Sequence, residues 1–423
     1  MTRLASGMAL AAALGAAVFG GSAPAAEVKP RCSGAEGYAA DFAQRRTFRW
    51  RPEWLAASKA RRTDPALAPA FQALMKRADA ALTGPVYTVT DKLRTPPSGD
   101  KHDYMSMGPY WWPDPDKPNG EPYVRRDGEV NPERNTDAFD VTDLDAMSSS
   151  VEALSLAYYF QDDPRYAEKA ARLLRVWFLE PKTRMNPNAS FAQGVPGRTP
   201  GRAEGVLDTY RLLRVVEAVG LLAPSGALSA PDQAGLERWF ADYARWMRTS
   251  PTGREERAAT NNHGVWFDYQ LATFALFSRD EALARDVIAE AAEARIARQV
   301  APDGSLPEEL QRTRALHYSY FALEPMVGLA DLGRCVGVDL WGYQTKDGRS
   351  LRKALTFLAP YVGREASFPY REIDPAGAAG EAATPFGLAA WVYGDAALAR
   401  LAAISAAARP ASVDRLLIAP YAP

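Results

Sequence analysis

The sequence predicts an all-α protein, an α/α toroid (an incomplete barrel of helical hairpins) carrying long aromatic loops. Three observations point there. Apolar residues recur at helical spacing through most of the chain from about residue 64 onward. The periodic segments are separated by short turns such as DDPR (162–165), APSG (223–226) and APDG (301–304), the punctuation expected between antiparallel helices. No strand–turn–strand series is present. Successive hairpins of this kind can close into a ring, although no true sequence repeat underlies them.

Taken in order, residues 1–25 read as an export signal rather than as fold. Arg3 supplies the positive start, residues 7–19 the short apolar run, and Ala23-Pro24-Ala25 the cleavage pattern. That run is too short to span a bilayer, and no later stretch reaches membrane length. A periplasmic or secreted location follows, with no membrane insertion. Export permits a disulfide between the two cysteines, Cys32 and Cys335, without the spacing requiring it. Residues 26–63, rich in Arg with Trp50 and Trp54, are expected to pack as an N-terminal segment on a main domain at 64–423.

Within that domain, residues 64–82 read as a helix with Asp64 as candidate cap. Leu144, Met147, Val151, Leu154 and Tyr158 make one stripe over 143–160. The pattern repeats over 164–179, 205–222, 230–248, 280–299, 314–333, 348–361 and 384–407. Two long stretches, 85–140 and 180–204, resist it. Both are rich in Pro, Gly and Asn, yet they carry the aromatic residues that disordered linkers lack. Long ordered loops with aromatics read as binding surfaces.

The formal net charge is −1, so the molecule presents no overall basic field for nucleic acid. An anionic partner has to be held by local arginines. All three histidines, His102, His263 and His317, lie beside Asn, Arg or Tyr. In TNNHGVWFDYQ (260–270), Thr260 or Asn261 can cap a helix, placing Asn262 and His263 in its first turn, where backbone N–H groups favour an anion. In PEELQRTRALHYSYFALEP (307–325), Arg312, Arg314, His317, Tyr318 and Tyr320 cluster within a few turns. A guanidinium near a phenol lowers its pKa from about 10 and suits it to moving protons. Asn, His, Arg and Tyr together suit proton abstraction beside a carboxylate. The C5 proton of a uronate is such a proton, and its loss with departure of O4 is β-elimination, which needs no cofactor. Tyr110-Trp111-Trp112 would stack on sugar faces, and arginines would pair with uronate carboxylates.

These two motifs, with HDYMSMGPYWWPDP (102–115) and MNPNASFAQGVPG (185–197), resemble the alginate lyase superfamily of polysaccharide lyases, family 38 more than family 5, over residues 85–390. The resemblance implies a bacterial α/α-toroid enzyme acting on an anionic polysaccharide. It implies that Asn262 and His263 neutralise the substrate carboxylate, with His263 also a candidate base. Tyr318 would be the general acid and also the base. Arg312, or alternatively Arg314, would support the carboxylate or depress the tyrosine pKa. His102, Tyr110, Trp111, Asn188 and Gln193 would line the cleft, with His317, Tyr269 and Tyr370 as further substrate contacts, and Tyr269 and Tyr320 compete with Tyr318. Polymannuronate or glucuronan is the expected substrate. Guluronate, whose C5 proton and O4 lie anti, would make His263 the base.

Two rival readings remain at this stage. A glycoside hydrolase needs a carboxylate pair, for which Glu308, Glu309, Asp140, Asp143 and Asp145 are raw material. A non-catalytic acidic-glycan-binding protein would use the same arginines and aromatics. No HExxH or clustered His/Cys spacing is present, so neither metal nor cofactor is expected. A monomer or weak homo-oligomer is the expected state.

Overall fold

The structure, a computed structural model, describes residues 31–418; the expected export segment lies outside the described residues. The helices are α1 (Pro52–Ala60), α2 (Ala68–Thr83), α3 (Val141–Gln161), α4 (Pro164–Leu174), α5 (Leu212–Leu222), α6 (Ala230–Thr249), α7 (Pro251–Ala258) and α8 (Asn262–Phe277). They continue with α9 (Glu281–Ala291), α10 (Pro307–Leu310), α11 (Ala315–Val336), α12 (Leu351–Leu358), α13 (Pro375–Ala378), α14 (Ala383–Tyr393), α15 (Ala396–Ala408) and α16 (Asp414–Leu417). Each periodic segment of the sequence yields a helix, with local differences. Asp64 does not cap α2: it holds a preceding turn through the Ala66 N–H, and the helix starts after Leu67. The segment 384–407 is two helices, because Gly394 takes a left-handed conformation at φ 64° and Asp395 caps the next helix.

The helices form an all-α toroid. Helices α3, α5, α8, α11 and α14 each pack on the next around the ring. A second layer backs them, with α4 on α3, α6 and α9 on α8, α12 on α11 and α15 on α14. In α8 every residue except His263 is buried, as expected of a helix enclosed on all sides. Trp266 packs on Phe321 at 5.0 Å, and further along the ring of Tyr269 lies against Gly328. Contacts that advance together on both helices mean that α8 and α11 run parallel, so their first turns open at the same mouth of the ring. Pro325 inside α11 cannot donate to the Phe321 carbonyl, and the Trp266 indole N–H takes that carbonyl instead, at 2.9 Å.

The two non-helical stretches are one ordered layer. Strand β1 (Met105–Met107) pairs in parallel with β4 (Phe191–Gly194), and between them β2 (Trp111–Trp112) pairs antiparallel with β3 (Val124–Arg125). The N-terminal segment docks on the ring. Buried Glu217 of α5 accepts the backbone N–H groups of Phe48, Arg49 and Trp50, and Gly220 leaves room for the Arg46 carbonyl, which a Cβ would approach to 2.1 Å. Cys32 and Cys335 form a disulfide that ties this segment to the far end of α11. Among the described residues no helix is long and apolar enough to cross a membrane.

Candidate active site

The mouth is built where two helix starts meet a loop. Asn261 caps α8, its side chain accepting the His263 N–H at 3.2 Å. Asn262 is fully buried against Glu309 of α10. Its backbone N–H donates to the Glu309 carboxylate at 2.6 Å, and its amide NH2 reaches both carboxylate oxygens at 3.0 and 2.9 Å. The donor end of the amide is therefore spent, and Asn262 Oδ1 is buried without a hydrogen-bond partner among the described residues.

His263 is the half-open residue of that turn. Its Nδ1 lies 2.7 Å from Glu256 Oε1 of α7, with side-chain exposures of 17% and 3%. Burial lowers the imidazole pKa, but the charge and hydrogen bond of Glu256, with Glu204 and Glu309 behind, outweigh burial and raise it above its ordinary value. Burial pushes the Glu256 carboxyl up as well. An ionised Glu256 carboxylate can only accept, so Nδ1 donates to it. His263 Nε2 has no protein partner among the described residues, so it is the atom left for a ligand.

The phenol and its cation come from the approach to α11 and its first turns. The Arg312 guanidinium lies 3.6 Å from the centroid of the Tyr318 ring, and its fork is held by Asp127 at 2.8 to 3.2 Å. Burial opposes ionisation of Asp127, but hydrogen bonds from Arg312 and Thr313 and the Arg312 charge bring its carboxyl down to about 2. The Tyr318 hydroxyl meets the Tyr110 hydroxyl of the aromatic loop at 2.5 Å. The expected depression of the tyrosine pKa is corrected here: burial, with the second phenol, raises Tyr318 above its ordinary value, and Arg312 only opposes that rise.

Glu309 joins the two halves. Burial raises its carboxyl, while Asn262, Arg312 and His263 all act to lower it, so it lies within electrostatic reach of both arms. Four candidate residues thus each rest on a buried or half-buried partner: Asn262 on Glu309, His263 on Glu256, Arg312 on Asp127, Tyr318 on Tyr110. An anionic group held between His263 and Arg312 would lie beside a phenol able to exchange protons.

The remaining sequence candidates separate into groups. Trp111 faces the Arg198 and Arg202 guanidiniums at 5.2 and 5.8 Å. His102 donates Nδ1–H to the Arg184 carbonyl at 2.6 Å, and Asn188 bonds Asp103 at 2.9 Å in the same loop cluster. Gln193 is not a cleft-lining side chain. It is buried, and both ends of its amide are occupied, by Asp208 and by Arg202. Arg314 turns away toward Glu372 and Asp374 and does not compete with Arg312. His317 is tied to Glu381 at 2.9 Å and stacks on Phe321. Tyr370 is 41% exposed and packs on Phe368, outside the four pairs. Tyr269 lines a separate small cavity with Arg49 and Glu324 and so does not share the mouth with Tyr318, and buried Tyr320, whose hydroxyl has no hydrogen bond among the described residues, has Glu365 and Glu381 as its charged neighbours. Sequence reasoning missed Glu256 and Asp127 altogether and offered Glu309 only as raw material for a hydrolase carboxylate pair, not as the partner of Asn262. The signal that could have tied Glu309 to the site was its place in the same motif as Arg312.

A helical toroid with a carboxylate-backed Asn–His turn and an Arg-stacked tyrosine at one mouth defines a class, and comparison with known proteins gives the family. The alginate lyase family model matches residues 88–368. An alginate lyase from Bacteroides ovatus, known from its crystal structure, is 40% identical and superposes with a TM-score of 0.83, covering 89% of this chain and 99% of that one. A polysaccharide lyase of Stenotrophomonas maltophilia (strain K279a) is 27% identical over 242 residues, which cover 53% of this chain and 66% of that protein. The chain belongs to the alginate lyase family.

Proposed function

We propose that this protein is an exported polysaccharide lyase that cleaves a polyuronate, polymannuronate or glucuronan, by β-elimination across C4–C5, leaving a 4,5-unsaturated uronate end. The observation that carries the reading is the fixed stack of Arg312 on Tyr318, at 3.6 Å, at the same mouth as the His263–Glu256 pair. The imidazolium of His263 and Arg312 hold the substrate carboxylate and the charge that develops on it as C5 loses its proton. Tyr318 takes that proton from C5 and delivers one to O4 as the C4–O4 bond breaks, which suits the syn arrangement of mannuronate and glucuronate. Taking the C5 proton requires the phenolate, which the Arg312 charge favours against burial and the neighbouring Tyr110 phenol. The hydrolase alternative is weakened because Glu309 is committed to Asn262, Glu256 to His263, and Asp140 to buried Lys92. The disulfide supports export to an oxidising compartment.

The test is a panel of polymannuronate, polyguluronate and glucuronan, followed by ultraviolet absorbance of the new double bond and by reducing-end release. Unsaturated ends from polymannuronate or glucuronan are expected. Reducing ends without the double bond would replace elimination by hydrolysis.

A further inference from the structure

Beside α7 lies a hollow of about 440 Å³ lined by five arginines, Arg248, Arg254, Arg257, Arg295 and Arg298. Two carboxylates share it. Asp268 is buried between Arg295 at 2.7 Å and Arg257 at 3.3 Å, and Glu290 takes Arg257 at 2.8 Å. Arg248, Arg254 and Arg298 are exposed and pair with no carboxylate among the described residues. Arg254 bonds only the Thr249 carbonyl. An excess of cations is thus concentrated in one concavity of a chain whose formal charge is −1.

The floor of the hollow is built rather than incidental. Arg295 is 4% exposed and also donates to the carbonyls of Arg257 at 2.7 Å and Ala259 at 2.8 Å. It sits in a π-helical turn, Ala292–Ala297, a local distortion that recurs at functional sites. Gly264 makes its approach possible, since a Cβ there would fall 2.3 Å from Arg295 Nη1 and 2.2 Å from the Ala259 carbonyl. The hollow therefore abuts the first turn of α8, which carries Asn262 and His263.

We propose that this hollow is a second anchoring surface for an anionic polysaccharide, gripping uronate carboxylates of chain that extends beyond the mouth. The proposal rests on the polyuronate reading of the mouth. Guanidinium forks match carboxylates. Each exposed contact is weak, so the surface acts through chain length: a polymer engages both sites, and a short oligosaccharide fills only the mouth.

The test is the full chain carrying Arg248→Gln, Arg254→Gln and Arg298→Gln together, with Arg298→Glu alone as a second variant should the triple one not fold. With high-mass polymannuronate the triple variant is expected to raise KM roughly tenfold at unchanged kcat, three weak charge contacts being lost. Retardation in gels containing polymannuronate should fall and lose salt sensitivity, while turnover of a mannuronate trisaccharide stays at the parent level. Unchanged polymer KM and retardation in a folded variant overturns the surface and leaves the lyase reading standing. Retardation that depends on these arginines in a parent that cleaves none of the three polyuronates removes the lyase reading and keeps the surface. A parent retarded by none of them overturns the proposal.

Discussion

Helices α8 and α11 carry polar clusters at two depths, and the two are assembled in opposite ways. At the mouth, the two candidate side chains of the first turn of α8 each have one committed partner and one atom without a partner among the described residues: Asn262 keeps Oδ1, and His263 keeps Nε2. Deeper in the ring, Tyr269 and Glu324 meet the docked N-terminal segment around a cavity of only about 50 Å³. There Arg49 lies 5.4 Å from the Tyr269 ring, and Arg51, fully buried, pairs with Asp331 between the rings of Trp54 and Trp391. Burial lifts the Glu324 carboxyl to about 7 against the Arg49 charge. Perturbed ionisation is thus common to both regions. Unpartnered polar atoms are common to both as well, since Arg51 Nε and Nη1 lie buried without a hydrogen bond against the rings of Trp54 and Trp391; what distinguishes the mouth is that helix starts and an ordered loop converge there. The interior cluster uses its charges to seat a chain segment.

The largest effect that separates the two regions is expected from Tyr318→Phe. Turnover should fall by about 10³-fold or more, since the residue proposed as both general acid and base is removed, while calorimetric binding of a mannuronate tetrasaccharide changes little. Parent-like rates would move the proton carrier elsewhere and dissolve the distinction. Arg51→Ala should do the reverse. Removing one partner of a buried pair costs about 3–5 kcal/mol of stability, read by denaturant unfolding, with kcat intact below the transition. A loss of kcat in the folded protein would mean that the interior cluster serves catalysis.

The toroid was legible because its helices are long, amphipathic or wholly apolar, and bounded by turn residues. The break at Gly394 and the true start of α2 were not, since a single left-handed residue or a local Asp64 turn barely disturbs the apolar period. At the site, Asn262, His263, Arg312 and Tyr318 stood out because each pair is local in sequence. Their partners did not. Glu309 reaches Asn262 across 47 positions, and Asp127 reaches Arg312 across 185, and no periodicity encodes such ion pairs. The tyrosine pKa was read in the wrong direction because a neighbouring charge is visible in sequence and burial is not.

A smaller effect, confined to the mouth, is expected from Glu256→Gln. In the parent, Glu256 supplies the main influences that raise the His263 pKa, and burial opposes them. The variant leaves burial dominant, so the imidazole loses its proton at lower pH. The descending alkaline limb of kcat/KM should move to lower pH, with a loss of roughly tenfold near pH 8. The linked stability has the same sign. A raised histidine contributes stability that is present below its unfolded pKa and lost as pH rises through the folded value, and the variant should lack that contribution. An unmoved limb would reduce Glu256 to packing.

The smallest effect is expected from Tyr269→Phe, and it bears most directly on depth. Tyr269 stands two turns inward from Asn262 on the same helix, is 2% exposed, and lies flat against Gly328, where a Cβ would come within 2.4 Å of its ring. Burial raises its pKa, so it stays a neutral phenol beside Arg49. Removing its hydroxyl should change kcat/KM by less than about twofold and stability by no more than about 1 kcal/mol, the net worth of one polar contact. Calorimetric melting and polymannuronate turnover measure both. A collapse of turnover comparable to that of Tyr318→Phe would show the two clusters to be one proton-handling system running along α8, and the separation by depth would fail with it.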